Sequence, residues 1–247
     1  MEINQAHAGN QAYDENFYRA QKDGSFAAAV TILPFVNEFV HPRTVVDVGC
    51  GVGTWLAVWQ KNFAAEIFGI DGDYVDRSQL LIDEKFFHPA NLEERLNLNR
   101  RFDLAMSLEV AEHLTPARAD SFVEDLTRLS DVVFFSAAIP VQSGGVNHVN
   151  EQWQSYWAEK FSQRGYVVVD CIRPKVWLND GVPHICYRQN VFIYAKSTEL
   201  YRYPELQDYY LRHRDATILN LVHPRYYIGN ILQFKKFYQQ VQEYLEK

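Results

Sequence analysis

The feature that most constrains the fold is a glycine-punctuated turn between two apolar stretches. Residues 44–48 are β-branched except for Asp47, and glycines follow at positions 49, 51 and 53. From Trp55 onward, apolar residues recur at helical spacing. Glycine has no Cβ, so the turn can adopt positive φ and a ligand can approach the main chain closely. The pattern predicts a strand, a nucleotide-binding turn and a helix.

The acidic end of a second apolar run supports a nucleoside ligand. Residues 66–71 form this run, and it ends in Asp71. A carboxylate at this place in a nucleotide-binding fold can accept both hydroxyl hydrogens of a ribose. A dinucleotide fingerprint would need a third glycine where Thr54 stands, which argues against an NAD-dependent dehydrogenase.

The pattern D-x-G-x-G-x-G from Asp47 to Gly53 resembles motif I of the class I S-adenosylmethionine (SAM) dependent methyltransferases. This resemblance implies that SAM is the cofactor and that a set of nine residues binds it. Asn91 has an alternative role, because an Asn before Leu92-Glu93-Glu94-Arg95 can be the N-cap of a helix. The expected cofactor-binding residues are Asp47, Gly49, Gly51, Gly53, Asp71, Asn91, Leu92, Ser107 and Leu108.

Apolar β-rich runs alternate with helical patterns along the chain, which predicts an α/β fold. The resemblance implies a Rossmann-like seven-stranded methyltransferase sheet with helices on both faces and an antiparallel last strand. Residues 80–82 predict a short helix, and residues 173–188 predict a loop long enough to shape a pocket.

Three parts are expected along the chain. They are an N-terminal arm and helical lid over residues 1–40, a SAM-binding domain over residues 41–196, and a C-terminal helical tail over residues 197–247. Tyr13 and Tyr18 in the arm either close over SAM or are surface aromatics.

The tail is predicted to be helical because Ile231, Phe234, Tyr238, Val241 and Leu245 recur at helical spacing. This apolar series is expected to pack on the domain or on a second subunit, which would make the protein a homodimer.

Composition disfavours nucleic acid as a partner, because the net charge of −7 opposes a large phosphate-binding surface. No apolar run is long enough to span a membrane, and no leader begins the chain, so a soluble, cytoplasmic protein is expected. The three cysteines, Cys50, Cys171 and Cys186, lack metal-ligand spacing and are read as buried thiols.

Ionisable residues follow the fourth and fifth predicted strands. Glu109, Glu112 and His113 have i, i+3, i+4 spacing, which places them on one face if the chain turns helical there. His148 follows the fifth strand. Since carboxyl ends of neighbouring parallel strands meet at one crevice, these side chains are expected to converge beside the methyl donor.

The pattern E-x-x-E-H with a later His resembles the divalent-metal set of the small-RNA 3′-end 2′-O-methyltransferases and of the ubiquinone-pathway O-methyltransferases. This resemblance implies that Glu109, Glu112, His113 and His148 hold Mg²⁺ or another divalent cation. The alternative is a metal-free site in which Glu109 lines the cofactor pocket, His113 is a structural partner and His148 is the general base. His148, Glu112 and His113 are the candidate catalytic residues.

The predicted function is a SAM-dependent O-methyltransferase that acts on a hydroxyl of a small molecule or saccharide. An RNA ribose 2′-O-methyltransferase and a non-catalytic SAM-binding protein are the alternatives. Arg188 and Gln189 are candidate hydrogen-bond donors to a polar acceptor. Trp153, Tyr156 and Trp157 either stack against the acceptor or form the core face of a helix.

Overall fold

The computed structural model describes residues 24–140, 142 and 147–245, which form seven strands and eight helices. The strands are β1 (Thr44–Val48), β2 (Glu66–Asp71), β3 (Phe87–Pro89), β4 (Leu104–Leu108), β5 (Val132–Ser136), β6 (Tyr166–Val169) and β7 (Phe192–Lys196). The helices are α1 (Gly24–Val40), α2 (Thr54–Phe63), α3 (Ala119–Leu129), α4 (Gln154–Ser162), α5 (Arg173–Val176), α6 (Ile185–Gln189), α7 (Pro204–His213) and α8 (Pro224–Leu245).

All seven strands lie in one sheet, in the order β3-β2-β1-β4-β5-β7-β6. Strands β1 to β5 pair in parallel, whereas β7 runs antiparallel to both β5 and β6. The chain winds from β1 outward to β3 and then returns to place β4 on the other side of β1. The predicted seven-stranded α/β sheet with an antiparallel last strand is confirmed. The order in which strands are added to the sheet changes side between β1 and β4, and this change creates a crevice at the carboxyl ends of these two parallel strands.

Helices cover both faces of the sheet because successive strand residues point to opposite sides. Val45 packs in a core with α1 and α2, while its neighbour Val46 packs in a second core with α3 and α4. Both side chains are fully buried. Burial on both faces explains why the strands read as nearly continuous apolar runs rather than as alternating ones.

Two local expectations are wrong. Residues 80–82 form no helix; the side chains of Leu80, Leu81 and Ile82 are buried, and the Leu81 N–H donates to the Val52 carbonyl at 2.8 Å. The helical turn instead precedes them at Arg77–Gln79, where the Asp76 side chain accepts from the Ser78 N–H. The expected loop over residues 173–188 contains the helical turns α5 and α6.

The two terminal parts differ in burial. Helix α1 packs against α2 and α7 with most of its apolar side chains in the core, and Pro34 lies inside it. Its predicted role as a lid stays a prediction, and Tyr13 and Tyr18 lie outside the described residues. Helix α8 confirms the predicted helical tail. No described helix combines the length and the apolar character that crossing a membrane requires.

Candidate active site

A cavity of about 1020 Å³ opens at the carboxyl ends of β1 to β4, where the topology predicts a ligand. Its size suits a small-molecule or cofactor site. The lining residues come from the ends of these four strands and the segments that follow them, except for Asn147, which follows β5. They are Gly49, Gly51, Asp71, Gly72, Asp73, Tyr74, Pro89, Ala90, Asn91, Leu92, Glu93, Glu109, Val110, His113, Leu114 and Asn147.

The glycine turn forms one wall of the cavity with main chain. Gly49 has a φ of 87°, and a Cβ there would lie 2.3 Å from Cγ2 of Val110. Gly51 has a φ of 54°, and no heavy atom lies within 4 Å of the position that its Cβ would take. The sequence therefore needs glycine at 49 for close packing and at 51 for backbone conformation. Gly53 lies behind this wall, against Ile82.

Asp71, at the end of β2, is buried and holds a dense set of hydrogen bonds. Its Oδ2 accepts from the Gly51 N–H at 2.7 Å, which ties the glycine turn to the second strand. Its Oδ1 accepts from the Gly72 N–H at 2.6 Å and from the Tyr74 hydroxyl at 2.7 Å. Three donors from two turns thus converge on one side chain, so the fold fixes the position and orientation of this carboxyl group.

The other predicted cofactor residues divide into two groups. Asn91 and Leu92 line the cavity. Asn91 also accepts from the Glu93 N–H at 3.1 Å, but this bond lies in a turn and no helix follows in this described stretch, so the alternative role as a helix cap is not supported. Asp47, Ser107 and Leu108 are buried in the strands and are not among the lining residues. Burial and the negative charge of Asp71 raise the pKa of Asp47 to about 8, so Asp47 is protonated at neutral pH.

Three of the four predicted metal ligands come together. One ligand atom from each of Glu112, His113 and His148 lies within 4.8 Å of the other two. Glu112 and His113 lie in a helical turn directly after β4, and the two imidazole rings meet edge to face with centroids 4.8 Å apart. Burial and the neighbouring His148 lower the pKa of His113, which favours the neutral imidazole that binds metals.

The main chain holds His148 against Glu112. The Glu112 carbonyl accepts from the N–H groups of Val149 and Asn150 at 2.9 and 3.0 Å. Nδ1 of His148 lies 2.8 Å from Oε1 of Glu151, which orients the ring. The segment after β5 is therefore fixed to the turn after β4.

Glu112 is the most unusual group of this cluster. Its side chain is 1% exposed, and neither carboxylate oxygen has a hydrogen-bond partner among the described residues. Burial and the charge of Glu109 raise the pKa of Glu112 to about 9, and the nearby main-chain N–H groups of Glu112 and Ala138 offset this rise only in part. A buried carboxyl without partners needs either a proton or a cation. A carboxylate and two imidazoles are a donor set that suits several divalent metals.

Glu109 does not join this cluster in the structure. It has a φ of 56°, and the helical turn begins only at Ala111, so the expected single helical face is not formed. Its carboxylate oxygens accept from Gln142 at 2.7 Å and from Asn190 at 3.2 Å. Glu109 still lines the cavity. Its predicted role as a metal ligand stays a prediction.

The predicted acceptor contacts of Arg188 and Gln189 are not supported, because both side chains are buried and have internal partners. Arg188 donates to the Val182 carbonyl and to Asp180, and Gln189 bonds to Asn190 and to the His223 N–H. Trp157 packs against Phe135 in the core.

Four residues near the cavity were not identified as candidates from the sequence. Tyr74 and Asn147 line the cavity, and Gln142 and Asn190 hold Glu109. Tyr74 follows the acidic end of β2 by three residues within a Gly-Asp turn, which is a signal for proximity to the nucleoside. The contacts of Gln142 and Asn190 join distant parts of the sequence and leave no local pattern.

A comparison with family models matches residues 18–131, just under half of the chain, to a methyltransferase domain. This stretch holds the glycine turn, Asp71 and the turn after β4. The part of the chain that forms most of the candidate site is therefore similar to methyltransferase domains.

Two curated relatives match parts of the chain. A probable chloroplastic tocopherol O-methyltransferase of Oryza sativa subsp. japonica is 31% identical over 97 residues, which are 36% of this chain and 26% of the relative. A ubiquinone biosynthesis O-methyltransferase of Rhodopseudomonas palustris (strain BisB18) is 29% identical over 84 residues, which are 30% of this chain and 31% of the relative. The matches thus span about a quarter to a third of the relatives' length.

A solved structure agrees with the fold of the methyltransferase domain and its flanking parts. The sugar N-methyltransferase from Streptoalloteichus sp. ATCC 53650 superposes with a TM-score of 0.53 at 15% identity, covering 73% of this chain and 91% of that one. At this identity, the likeness shows the fold alone.

Proposed function

We propose that this protein is an O-methyltransferase that binds SAM in the cavity and transfers its methyl group to a hydroxyl of a small molecule or saccharide. The observation that carries the proposal is the cluster of Glu112, His113 and His148, which adjoins the cavity through His113. A bare SAM-binding protein has no need to bury an unpartnered carboxyl beside two imidazoles at this place.

The residues of the cavity fit SAM in charge and shape. The Gly49–Gly51 wall offers main chain to the ligand, and Asp71 offers a carboxylate to the ribose hydroxyls. Glu109 places a further carboxyl in the lining. Burial raises the pKa of Glu109, and a sulfonium cation beside it would favour the ionised form. SAM supplies the activated methyl group. The remaining task of the protein is to orient the acceptor hydroxyl and to remove its proton.

Glu112, His113 and His148 are the residues that would hold a divalent cation. The unpartnered oxygens of Glu112 fit this role, because a cation would compensate their burial. Such an ion would lower the pKa of a bound acceptor hydroxyl. If no metal binds, His148 is the group to accept the proton, with Glu151 orienting its ring.

The lining of the cavity favours an uncharged acceptor over RNA. Asp71, Asp73, Glu93 and Glu109 contribute carboxyl groups, and no Lys or Arg is present among the lining residues that the structure describes. A phosphate backbone needs basic groups close to the reacting ribose. An RNA ribose 2′-O-methyltransferase is therefore the weaker alternative.

The test begins with chelator-treated protein. SAM binding is measured by calorimetry, and release of S-adenosylhomocysteine is then assayed with hydroxylated small molecules and saccharides, without and with Mg²⁺ or Mn²⁺. The proposal expects SAM binding and acceptor-dependent release. Ion-dependent release supports the metal site, whereas ion-independent release assigns the proton transfer to His148. Absence of SAM binding would overturn the proposal.

A pair of histidine variants separates an enzyme from a binding protein. His148→Ala is expected to lower turnover by about 10²-fold or more, the usual range for loss of a proton acceptor, while SAM affinity stays the same. His213→Ala, on the exposed face of α7, is the matched control and should keep both. Equal turnover of the two variants would contradict a catalytic role for His148.

We further propose that α8 joins two copies of the chain. Large apolar side chains on this helix are exposed, and Tyr227, Ile231, Phe234 and Tyr238 follow the alternating spacing of four and three that is typical of paired helices. Sedimentation should show a concentration-dependent dimer that Phe234→Glu weakens. Lys236→Glu, on another face of α8, should leave the dimer intact. A monomeric wild type would contradict this proposal.

A further inference from the structure

The ribose end of the cavity contains a side chain that uses the same carboxylate as the expected ligand. The hydroxyl of Tyr74 donates to Oδ1 of Asp71 at 2.7 Å. The residue as a whole is 84% exposed, so the ring is held at its tip while its flank faces solvent. Both residues line the cavity. This arrangement places a tyrosine across the site where the ribose is expected to bind.

The number of acceptor positions on Asp71 decides what happens when a ribose arrives. A carboxylate offers about four lone-pair positions. Gly72 N–H and Tyr74 hydroxyl use the two on Oδ1, and Gly51 N–H uses one on Oδ2. One position remains free, yet a ribose that binds through both hydroxyls needs two. The two main-chain donors are fixed by the turns, so Tyr74 is the donor that can leave.

We propose that Tyr74 competes with the ribose hydroxyls of the cofactor for Asp71, closing the ribose end of the empty cavity and moving away when the cofactor binds. This inference rests on the proposed function, because it assumes that the cavity binds SAM. Tyr74 is thus a residue that sets cofactor affinity and discriminates between ligands with one and with two ribose hydroxyls.

The local structure allows Tyr74 both to reach Asp71 and to leave it. The ring folds back over Gly72, where an added Cβ would lie 2.0 Å from Cε1 of Tyr74, so only glycine leaves room for this conformation. Burial and the hydrogen bond to Asp71 raise the pKa of Tyr74 to about 12, so the phenol keeps its proton and remains a donor at neutral pH.

The test uses Tyr74→Phe, which removes the competing hydroxyl and keeps the ring. Binding of S-adenosylhomocysteine and of its analogue lacking one ribose hydroxyl is measured by calorimetry for the full chain. A hydrogen bond to a charged group is worth about tenfold in affinity. We expect Tyr74→Phe to bind S-adenosylhomocysteine about tenfold more tightly than the wild type. The deoxy analogue needs only the one acceptor position that Asp71 has left. For this ligand, the increase in affinity caused by Tyr74→Phe should fall below about twofold.

Tyr201→Phe, at another exposed tyrosine in the turn Ser197–Arg202, is the matched control and should behave as the wild type with both ligands. Unchanged or weaker binding of S-adenosylhomocysteine by Tyr74→Phe, or an equal gain for both ligands, would overturn the competition while leaving the proposed function in place. Failure of the wild type to bind S-adenosylhomocysteine would overturn the proposed function and this inference together.

Discussion

Asp71 and Glu112 are both buried acidic residues at the carboxyl edge of the sheet, but their surroundings differ. Asp71 accepts three hydrogen bonds, two of them from main-chain N–H groups. Glu112 has no hydrogen-bond partner for either oxygen within the described part of the chain. The donors around Asp71 compensate the burial of its carboxyl group, whereas a buried carboxyl without donors raises the free energy of the folded protein. The proposed ribose end of the site is thus stabilised by the protein itself, and the proposed acceptor end needs a proton or a cation.

The largest expected effect comes from replacing the carboxyl of Glu112. Glu112→Gln should lower turnover by about 10²- to 10⁴-fold, because it removes a candidate ligand and reactive carboxyl, and SAM affinity should change little. Activity assays and calorimetry measure the two effects separately. Glu124→Gln, an exposed residue of α3 that pairs with Arg95, is the control. A loss of SAM affinity in Glu112→Gln would break the contrast between the two ends.

Removing the charge of Asp71 should lower the affinity for SAM, which Glu112→Gln leaves nearly unchanged. Asp71→Asn loses charge-assisted hydrogen bonds to the ribose and leaves N–H donors of the glycine turn poorly paired, so SAM affinity should fall about 10- to 100-fold. Calorimetry with SAM measures the change. Glu66→Gln, at the amino end of the same strand, keeps the strand and should bind SAM as the wild type does. If both variants bind equally well, Asp71 does not hold the ribose.

The last expected effect is on stability alone and concerns Asp47, a third carboxyl that lies in β1 beneath the glycine turn. The pKa of Asp47 is raised to about 8 in the folded chain, against about 4 in the unfolded chain. Between these values the folded chain binds a proton that the unfolded chain releases, so the free energy of unfolding falls as pH rises from about 4 to 8. Asp47→Asn should remove this loss and raise the free energy of unfolding by about 1–4 kcal/mol at pH 8.5.

Urea unfolding at pH 5.0 and pH 8.5, without cofactor, measures the effect. The stabilisation by Asp47→Asn should be larger at the higher pH. Asp208→Asn, an exposed residue of α7, should show the same difference from the wild type at both values. A pH-independent effect of Asp47→Asn would mean that its carboxyl is ionised in the folded protein.

The sequence was sufficient for the parts that local chemistry determines. The glycine turn and Asp71 at the end of β2 follow from backbone needs and from strand ends, and the structure places both in the cavity wall. Convergence of Glu112, His113 and His148 followed from the adjacency of neighbouring parallel strands.

The sequence was insufficient where a single backbone conformation or a distant contact decides the result. The spacing of Glu109 predicted a shared helical face, but its positive φ and the late start of the helical turn direct it to Gln142 and Asn190. Nothing in the sequence around Arg188 indicated that its guanidinium group would donate to the Val182 carbonyl and to Asp180. Tyr74 reaches Asp71 only because Gly72 lets the chain fold back.

The two hydrogen bonds from the segment after His148 to the Glu112 carbonyl have a consequence for how such a protein can diversify. They hold residues 148–150 to the turn after β4 through main-chain atoms alone. Main-chain hydrogen bonds do not depend on which side chain a residue carries. Val149, whose side chain is exposed, is therefore a position that can vary while His148 stays beside Glu112.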